Sequence, residues 1–512
     1  MTPFTQTALR PAEPSAPWSE VPEDLRRPIV SGIRWTVWLA LAGVPFNYAL
    51  RVLLARVGPQ TLATYGLLVV YINFVAAFLF LGGNSVAIRF LPRLTPAQRP
   101  VFLRSFAAVI GLGLLPWGLA CWLDPHWPAL LFGPLGGPKF QLAMLLLAPI
   151  PILFSLMLAA LKGVLEIAWA QALYRLVSFG SFAGYLLMIW LARPWFRAHA
   201  PLLVWGWYLI LAGAGATFAR RRLAKAGVGR ARTAWLLPTG FWAYTLGLQG
   251  ASALGFFTSQ LDYLLILHLG GMARLGRYVA LMTFVAAMIA ALKLLLDSLM
   301  SSMTHALVHR DAQALPALLQ KYLRLLLPPL FCFSALLACL ARPLLAIYGP
   351  RYATLELGLR CLAPLAAIYG LNAIFGATLS ALGHPSAEIV AKVVRITAYV
   401  ALFFPLWHAW GITGAVLAWG GAEIPYQAIS LYLLRRRAPF PLRMGVLYPA
   451  FLAGLAVMPG IVLLINPQTA PEGVWLGACL SAGFLFAARY TRTELKEMAR
   501  LVWPHAKETY TS

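Results

Sequence analysis

Guanidinium groups stand in this sequence where hydrocarbon would be expected. Arg51 and Arg175 fall inside long apolar runs, Arg56 follows five residues after Arg51, and Arg89 lies near the close of a second run. A guanidinium keeps its charge when desolvated and grips phosphate oxygens two at a time. Several of them around one cavity would therefore suit a phosphate or diphosphate group. A charge in the middle of a membrane span costs about 2.5–3.5 kcal/mol on insertion scales, so each asks for a reason. Two readings stand for each: a cation lining a cavity, or a side chain that snorkels to the interface or binds backbone carbonyls. Lys293 is a fifth such cation. It lies four residues from Asp297, so the two share a helix face and can pair. Asp262 and Glu423 have no local partner. Each suits either a coupling proton or sodium ion, or a structural role as a helix cap or as the partner of an arginine on a neighbouring helix. His305 and His309 are also four apart, but two imidazoles without a third ligand read as a solvated face. No metal site is expected.

The elements that must position these groups are membrane helices. Of 512 residues, 61% are hydrophobic and 11% charged, and the mean hydropathy is +0.75. An ordinary globular domain is about 45–50% apolar and about 25% charged. These values exclude a soluble enzyme, a disordered chain and a nucleic-acid-binding domain. With about 20 apolar residues needed per crossing, fourteen spans are expected, from 30–53 to 473–489. The expected class is an all-α integral membrane protein. The formal net charge of +25 sorts by side. With the N-terminus inside, 29 of the 41 Lys and Arg fall on inward connections, nine on outward ones and three (Arg51, Arg175 and Lys293) inside spans. That asymmetry sets both termini in the cytoplasm and reads the charge as topology. Residues 1–28 have no short apolar stretch before a cleavage site, so no signal peptide is expected. None of the five cysteines forms a CxxC pair.

The chain repeats itself at an interval of roughly 215 residues. Pro128-Ala129-Leu130-Leu131-Phe132-Gly133-Pro134 recurs as Pro343-Leu344-Leu345-Ala346-Ile347-Tyr348-Gly349-Pro350. Leu147-Ala148-Pro149 recurs as Leu362-Ala363-Pro364, and Leu158-Ala159-Ala160-Leu161 as Leu379-Ser380-Ala381-Leu382. The expected organisation is a cytoplasmic arm over 1–28, a six-helix half over 29–235 and a second over 236–440. Two appended spans follow over 441–489, then an amphipathic cytoplasmic tail over 490–512. Six spans per half is even, so the halves enter the membrane in parallel. Such repeats pack about an axis along the membrane normal, with the substrate path between them.

Short motifs also carry a family likeness. Leu53-Leu54-Ala55-Arg56-Val57-Gly58-Pro59 is followed by Tyr65-Gly66 and by Leu81-Gly82-Gly83-Asn84-Ser85-Val86-Ala87-Ile88-Arg89-Phe90-Leu91-Pro92. Later come Leu261-Asp262-Tyr263-Leu264-Leu265, Ile347-Tyr348-Gly349-Pro350-Arg351-Tyr352 and Gly411-Ile412-Thr413-Gly414-Ala415. Over about residues 28–440 this resembles the bacterial polysaccharide-biosynthesis (O-antigen type) flippases of the MOP exporter superfamily. The resemblance implies a MATE/MOP-like fold in the bacterial cytoplasmic (inner) membrane. It also implies movement of an undecaprenyl-(di)phosphate-linked oligosaccharide to the outer leaflet by alternating access, alongside a polysaccharide polymerase and a chain-length regulator. Lipid II flippases and ion-coupled multidrug exporters share that superfamily. No P-loop, HExxH or GxSxG occurs, so no ATPase or cofactor chemistry is expected. A polysaccharide polymerase or ligase and a non-transporting scaffold are the readings from other classes.

Overall fold

The computed structural model describes residues 45–46, 48–124, 132–133, 148–164, 166–191, 193–226, 228, 235–308, 314–381, 385–437 and 447–488, without the side chains of 84–85, 121, 167–168, 178, 185, 188–202, 204–205, 289–318, 321–322, 325, 377, 380–381, 385–386 and 437. The arm 1–28 and the tail 490–512 lie outside them, as does most of the expected first span. Among the described residues every element is helical and no strand occurs. Seven stretches are long and apolar enough to cross a membrane, or eight if the pair Leu326–Cys339 and Ala341–Tyr348, bent by 68°, is one span.

Two of those stretches are too long for a single crossing. Phe241–Met288 runs 48 residues and Ala387–Arg436 runs 50. At 1.5 Å per residue, 48 residues would reach about 72 Å, against a hydrocarbon core of about 30 Å. Each folds back at a glycine: Gly271 (φ 70°, ψ 179°) inside Phe241–Val308, and Gly411 (φ 56°, ψ −125°) inside Pro385–Gly421. A side chain would resist both conformations. The reversal at Gly271 is proved by contacts. Tyr278 donates its hydroxyl to Asp262 Oδ2 at 2.6 Å, whereas sixteen residues along a straight helix span about 24 Å. Expected spans seven and eight leave a gap at 268–274 that contains Gly271, so hydropathy alone located the hairpin.

Lipid tails are as apolar as leucine, so these helices are held together by close packing and polar contacts between them. The helix Pro59–Phe78 is clamped by both legs of the first hairpin. Against the second leg, a Cβ on Gly276 would stand 1.9 Å from the Pro59 carbonyl oxygen, so only glycine allows this approach. Against the first leg, Phe74 and Phe78 each meet Phe256 edge-on at 5.6 Å, and Gln249 Nε2 donates to the Ala77 carbonyl at 2.5 Å. The last helix, Ala470–Ala487, starts from a capping box. Thr469 Oγ1 accepts from the Glu472 amide, and Glu472 reaches back to the Thr469 amide. Its Phe484 stacks on Phe331 at 4.3 Å, which docks it on the helix Ala314–Cys339. Arg360 pairs with Glu356 at 2.5 Å and reaches the Pro467 carbonyl at 3.4 Å, tying the appended helices to the bundle.

Candidate functional site

Between these helices lies a cavity of about 460 Å³, within the range of small-molecule sites. Its wall combines Arg51 and Val69 from the N-terminal helices with Tyr263 and Met282 from the two legs of the first hairpin. Asn372 comes from the helix Glu356–Ala381, and Lys392, Arg395 and Glu423 come from the second hairpin and its continuation. It is therefore shared between the two expected halves.

The C-terminal wall is electrically closed. Glu423 is 1% exposed and sits where the helix breaks after Gly421, next to Pro425, which has no N–H to donate to the Gly421 carbonyl. Asn372 Nδ2 donates both to the Glu423 main-chain carbonyl at 2.9 Å and to its Oε2 at 2.8 Å. Glu423 Oε1 accepts from Arg395 Nε, and Arg395 donates from Nη1 to the Thr258 carbonyl. The guanidinium carbon of Arg395 lies 5.8 Å from the ring centres of both Tyr369 and Trp419, which stack on each other at 5.4 Å. One turn away, Lys392 Nζ pairs with Glu388 Oε1 at 2.9 Å. Two cations and two carboxylates thus sum to zero.

Arg51 is different. Its Nη1 donates to Thr283 Oγ1 at 3.2 Å, across to the second leg of the first hairpin, and its Nε finds no hydrogen-bond partner. The ring of Tyr65 lies 5.9 Å away. No carboxylate pairs with it, so the wall carries one uncompensated positive charge among its described residues.

The other expected cavity cations lie elsewhere. Arg56 is exposed and donates from Nε to the Ile347 carbonyl at 3.0 Å. Arg89 is exposed and covers the Tyr244 ring at 4.0 Å. Arg175 is half-buried beside Tyr174, at 5.4 Å, away from this cavity. The side chains of Lys293 and Asp297 lie outside the described residues. Of the expected carboxylates, Glu423 lines the cavity in its pair with Arg395. Asp262 is buried under Tyr278, in a small adjoining crevice that Arg395 also borders. Sequence reading did not single out Arg395, Lys392, Glu388 or Asn372. The signal for three of them was present: Glu388, Lys392 and Arg395 follow one another at helical spacing on one face.

A membrane bundle of helical hairpins around a shared, charge-lined cavity is the class of protein that this geometry defines. Solved structures carry the same fold. An inward-facing multidrug resistance MATE family transporter of the MOP superfamily aligns with a TM-score of 0.63 at 15% identity, over 78% of this chain and 98% of that one. The lipid II flippase MurJ in an inward closed conformation aligns with a TM-score of 0.61 at 13% identity, over 89% and 98%. A MOP superfamily transporter from Pyrococcus furiosus Vc1, described by the reversed polarity of its binding pocket, aligns at 0.56 and 16%, over 80% and 94%. Comparison of the sequence with family models and with curated proteins gives no match. The chain is a multi-pass membrane protein that shares the fold of these structures.

Proposed function

We propose that this protein is a flippase that carries an undecaprenyl-(di)phosphate-linked oligosaccharide from the cytoplasmic to the outer leaflet of a bacterial cytoplasmic membrane. It works by alternating access between its two halves and supplies a polysaccharide polymerase and its chain-length regulator. The observation that carries this reading is Arg51: a cavity cation with no counter-charge among the described residues, an unpartnered Nε, and one described partner, a hydroxyl on the opposite half. An anionic headgroup supplies the missing charge. The fold shared with a lipid II flippase supports a lipid-linked cargo. An organic cation, the cargo type for which cavity carboxylates would be suited, is less favoured because Glu388 and Glu423 are both neutralised within the wall.

The headgroup binds Arg51 while the lipid tail stays in the bilayer. An inside-negative potential favours outward passage of net negative charge by about 2.3 kcal/mol per charge per 100 mV. A cavity arginine that stays with the protein leaves that drive intact. The test is complementation of a deletion strain by Arg51→Gln, with lipid-linked sugars assayed on each membrane face. Arg51→Gln at normal protein level leaves single repeat units on the cytoplasmic face. Normal surface polysaccharide in that strain would remove Arg51 from the headgroup site. Units exposed outside but unpolymerised in the deletion strain would instead identify a polymerase.

A further inference from the structure

The cavity has a second set of unsatisfied groups, and their polarity is opposite to that of Arg51. Asn372 is 2% exposed and lines the cavity, yet its Oδ1 has no hydrogen-bond partner. The orientation of this amide is fixed by its surroundings. Its nitrogen faces two acceptors, the main-chain carbonyl and Oε2 of Glu423, so the oxygen must be the free atom. Gln260, also on the wall, likewise has a buried Oε1 without a partner. A buried acceptor left open costs about 1–3 kcal/mol, so its presence asks for a ligand that donates.

An open guanidinium N–H asks for an anionic oxygen, whereas the open Asn372 oxygen asks for an O–H or N–H donor, and the unpartnered Gln260 amide can meet a hydroxyl as acceptor or as donor. Tyr263, Tyr369 and Tyr426 also line the cavity, and aromatic rings pack against the C–H surface of a sugar ring. The surrounding charges are spent on each other, Arg395 on Glu423 and Lys392 on Glu388. That leaves no free charge there to receive an acidic or basic substituent.

Building on the flippase reading, we infer that the cavity is a two-part site. Arg51 takes the phosphate, and the wall formed by Asn372 and Gln260 takes the hydroxyl groups of the first sugar, which is uncharged. Glu423 acts as a positioning residue: it holds the Asn372 amide by its nitrogen, which leaves the oxygen as the unpaired atom. Selection among lipid-linked substrates then resides in the Asn372 wall, and the requirement for a phosphate resides at Arg51.

The experiment uses the full-length protein in nanodiscs and three probes: undecaprenyl diphosphate, the same lipid bearing N-acetylglucosamine, and the same lipid bearing glucuronic acid. Affinities are read from quenching of intrinsic tryptophan fluorescence and checked by native mass spectrometry. The wild type binds the N-acetylglucosamine lipid about tenfold more tightly than either other probe, the scale of one or two added hydrogen bonds. Gln260→Leu and Asn372→Leu reduce that preference several-fold and leave the affinity for bare undecaprenyl diphosphate unchanged. Thermal melting of each variant separates a lost contact from a lost fold. Gln260→Leu removes no hydrogen bond that holds Glu423, so it tests the wall even if Asn372→Leu fails to fold. Equal affinity for bare and sugar-bearing lipid, or a preference untouched by Gln260→Leu, overturns the sugar wall and leaves the flippase reading standing. Equal affinity for the glucuronic acid probe overturns the selection for an uncharged sugar. Failure of the wild type to bind any of the three overturns the flippase reading itself.

Discussion

Arg51 and Arg395 line one cavity, yet their surroundings have little in common. Arg395 lies between two aromatic rings, pairs with the carboxylate of Glu423 and donates to the Thr258 carbonyl. Among the described residues Arg51 donates once, to a hydroxyl, and its buried Nε–H has no partner. Burying a charge is costly, and the cost is met only when partners satisfy it fully. A cation whose partners are all protein groups is part of the framework. A cation left short of partners is available to something that arrives. The difference therefore separates structure from binding within a single wall, although residue type and hydropathy treat the two arginines alike.

The sharpest way to break this contrast is through Glu423. Glu423→Gln removes the carboxylate that pairs with buried Arg395 and leaves it only Asp262 across the adjoining crevice, and removing one member of a buried pair costs about 3–5 kcal/mol. The variant is expected to lose most of its folded population, read as a lowered melting temperature and as aggregation on size-exclusion chromatography in detergent. The double change Arg395→Leu with Glu423→Leu restores much of that stability, because apolar residues of similar volume replace a buried pair at little cost. A Glu423→Gln protein that melts like the wild type but no longer transports would make Arg395 a functional cation and erase the contrast.

How much of this was legible beforehand follows the same division. The fold was written in hydropathy: the gap at 268–274 held the Gly271 turn, and the gap before 411 ended at the Gly411 turn. Arg51 was legible because a charge stood alone in an apolar window. Arg395 is hidden because it stands near the start of a span, where a cation reads as the flank of an inward connection. Its burial depends on Glu423, 28 residues later and on another leg of the chain. Arg175 looked like Arg51 for the converse reason. Hydropathy reports that a residue lies inside a span, but not which way the helix turns it. Asn372 was illegible because an amide raises no alarm in a span until its partners fix which atom is left open.

A smaller effect is expected at the contact that brings Arg51 to its partner. Gly276 lies two turns before Thr283 on the same leg and meets the Pro59 carbonyl. Gly276→Ala would place a methyl into backbone, an overpacking that costs about 1–3 kcal/mol. The two segments separate on the Arg51 side, while the Arg395 wall is untouched. Spin labels on the helix Pro59–Phe78 and on the second hairpin leg should report a longer distance by pulsed electron resonance. An unchanged distance with unchanged melting would mean that the backbone yields without separating the helices, and that this contact does not hold the cavity in its present shape.

The smallest effect is the most discriminating. Thr283→Val deletes the one hydrogen bond that Arg51 makes among the described residues, a charge-assisted bond at 3.2 Å, together with the Thr283 bond to the Val279 carbonyl, and costs about 1.5 kcal/mol. If Arg51 resembled Arg395, this loss would harm the protein in the same direction as Arg51→Gln. If Arg51 serves a ligand, the two changes act in opposite directions on binding. Arg51→Gln weakens undecaprenyl diphosphate, because the charge is gone. Thr283→Val strengthens it a few-fold, because a guanidinium released from its hydroxyl can turn all five of its N–H donors toward a phosphate. Bound phosphate and the Thr283 hydroxyl then compete for the same group. Occupancy of the site therefore loosens the contact between the N-terminal helices and the hairpin leg that carries Thr283. Headgroup binding and movement of the two halves are coupled through one side chain, and equal losses in Thr283→Val and Arg51→Gln would break that coupling.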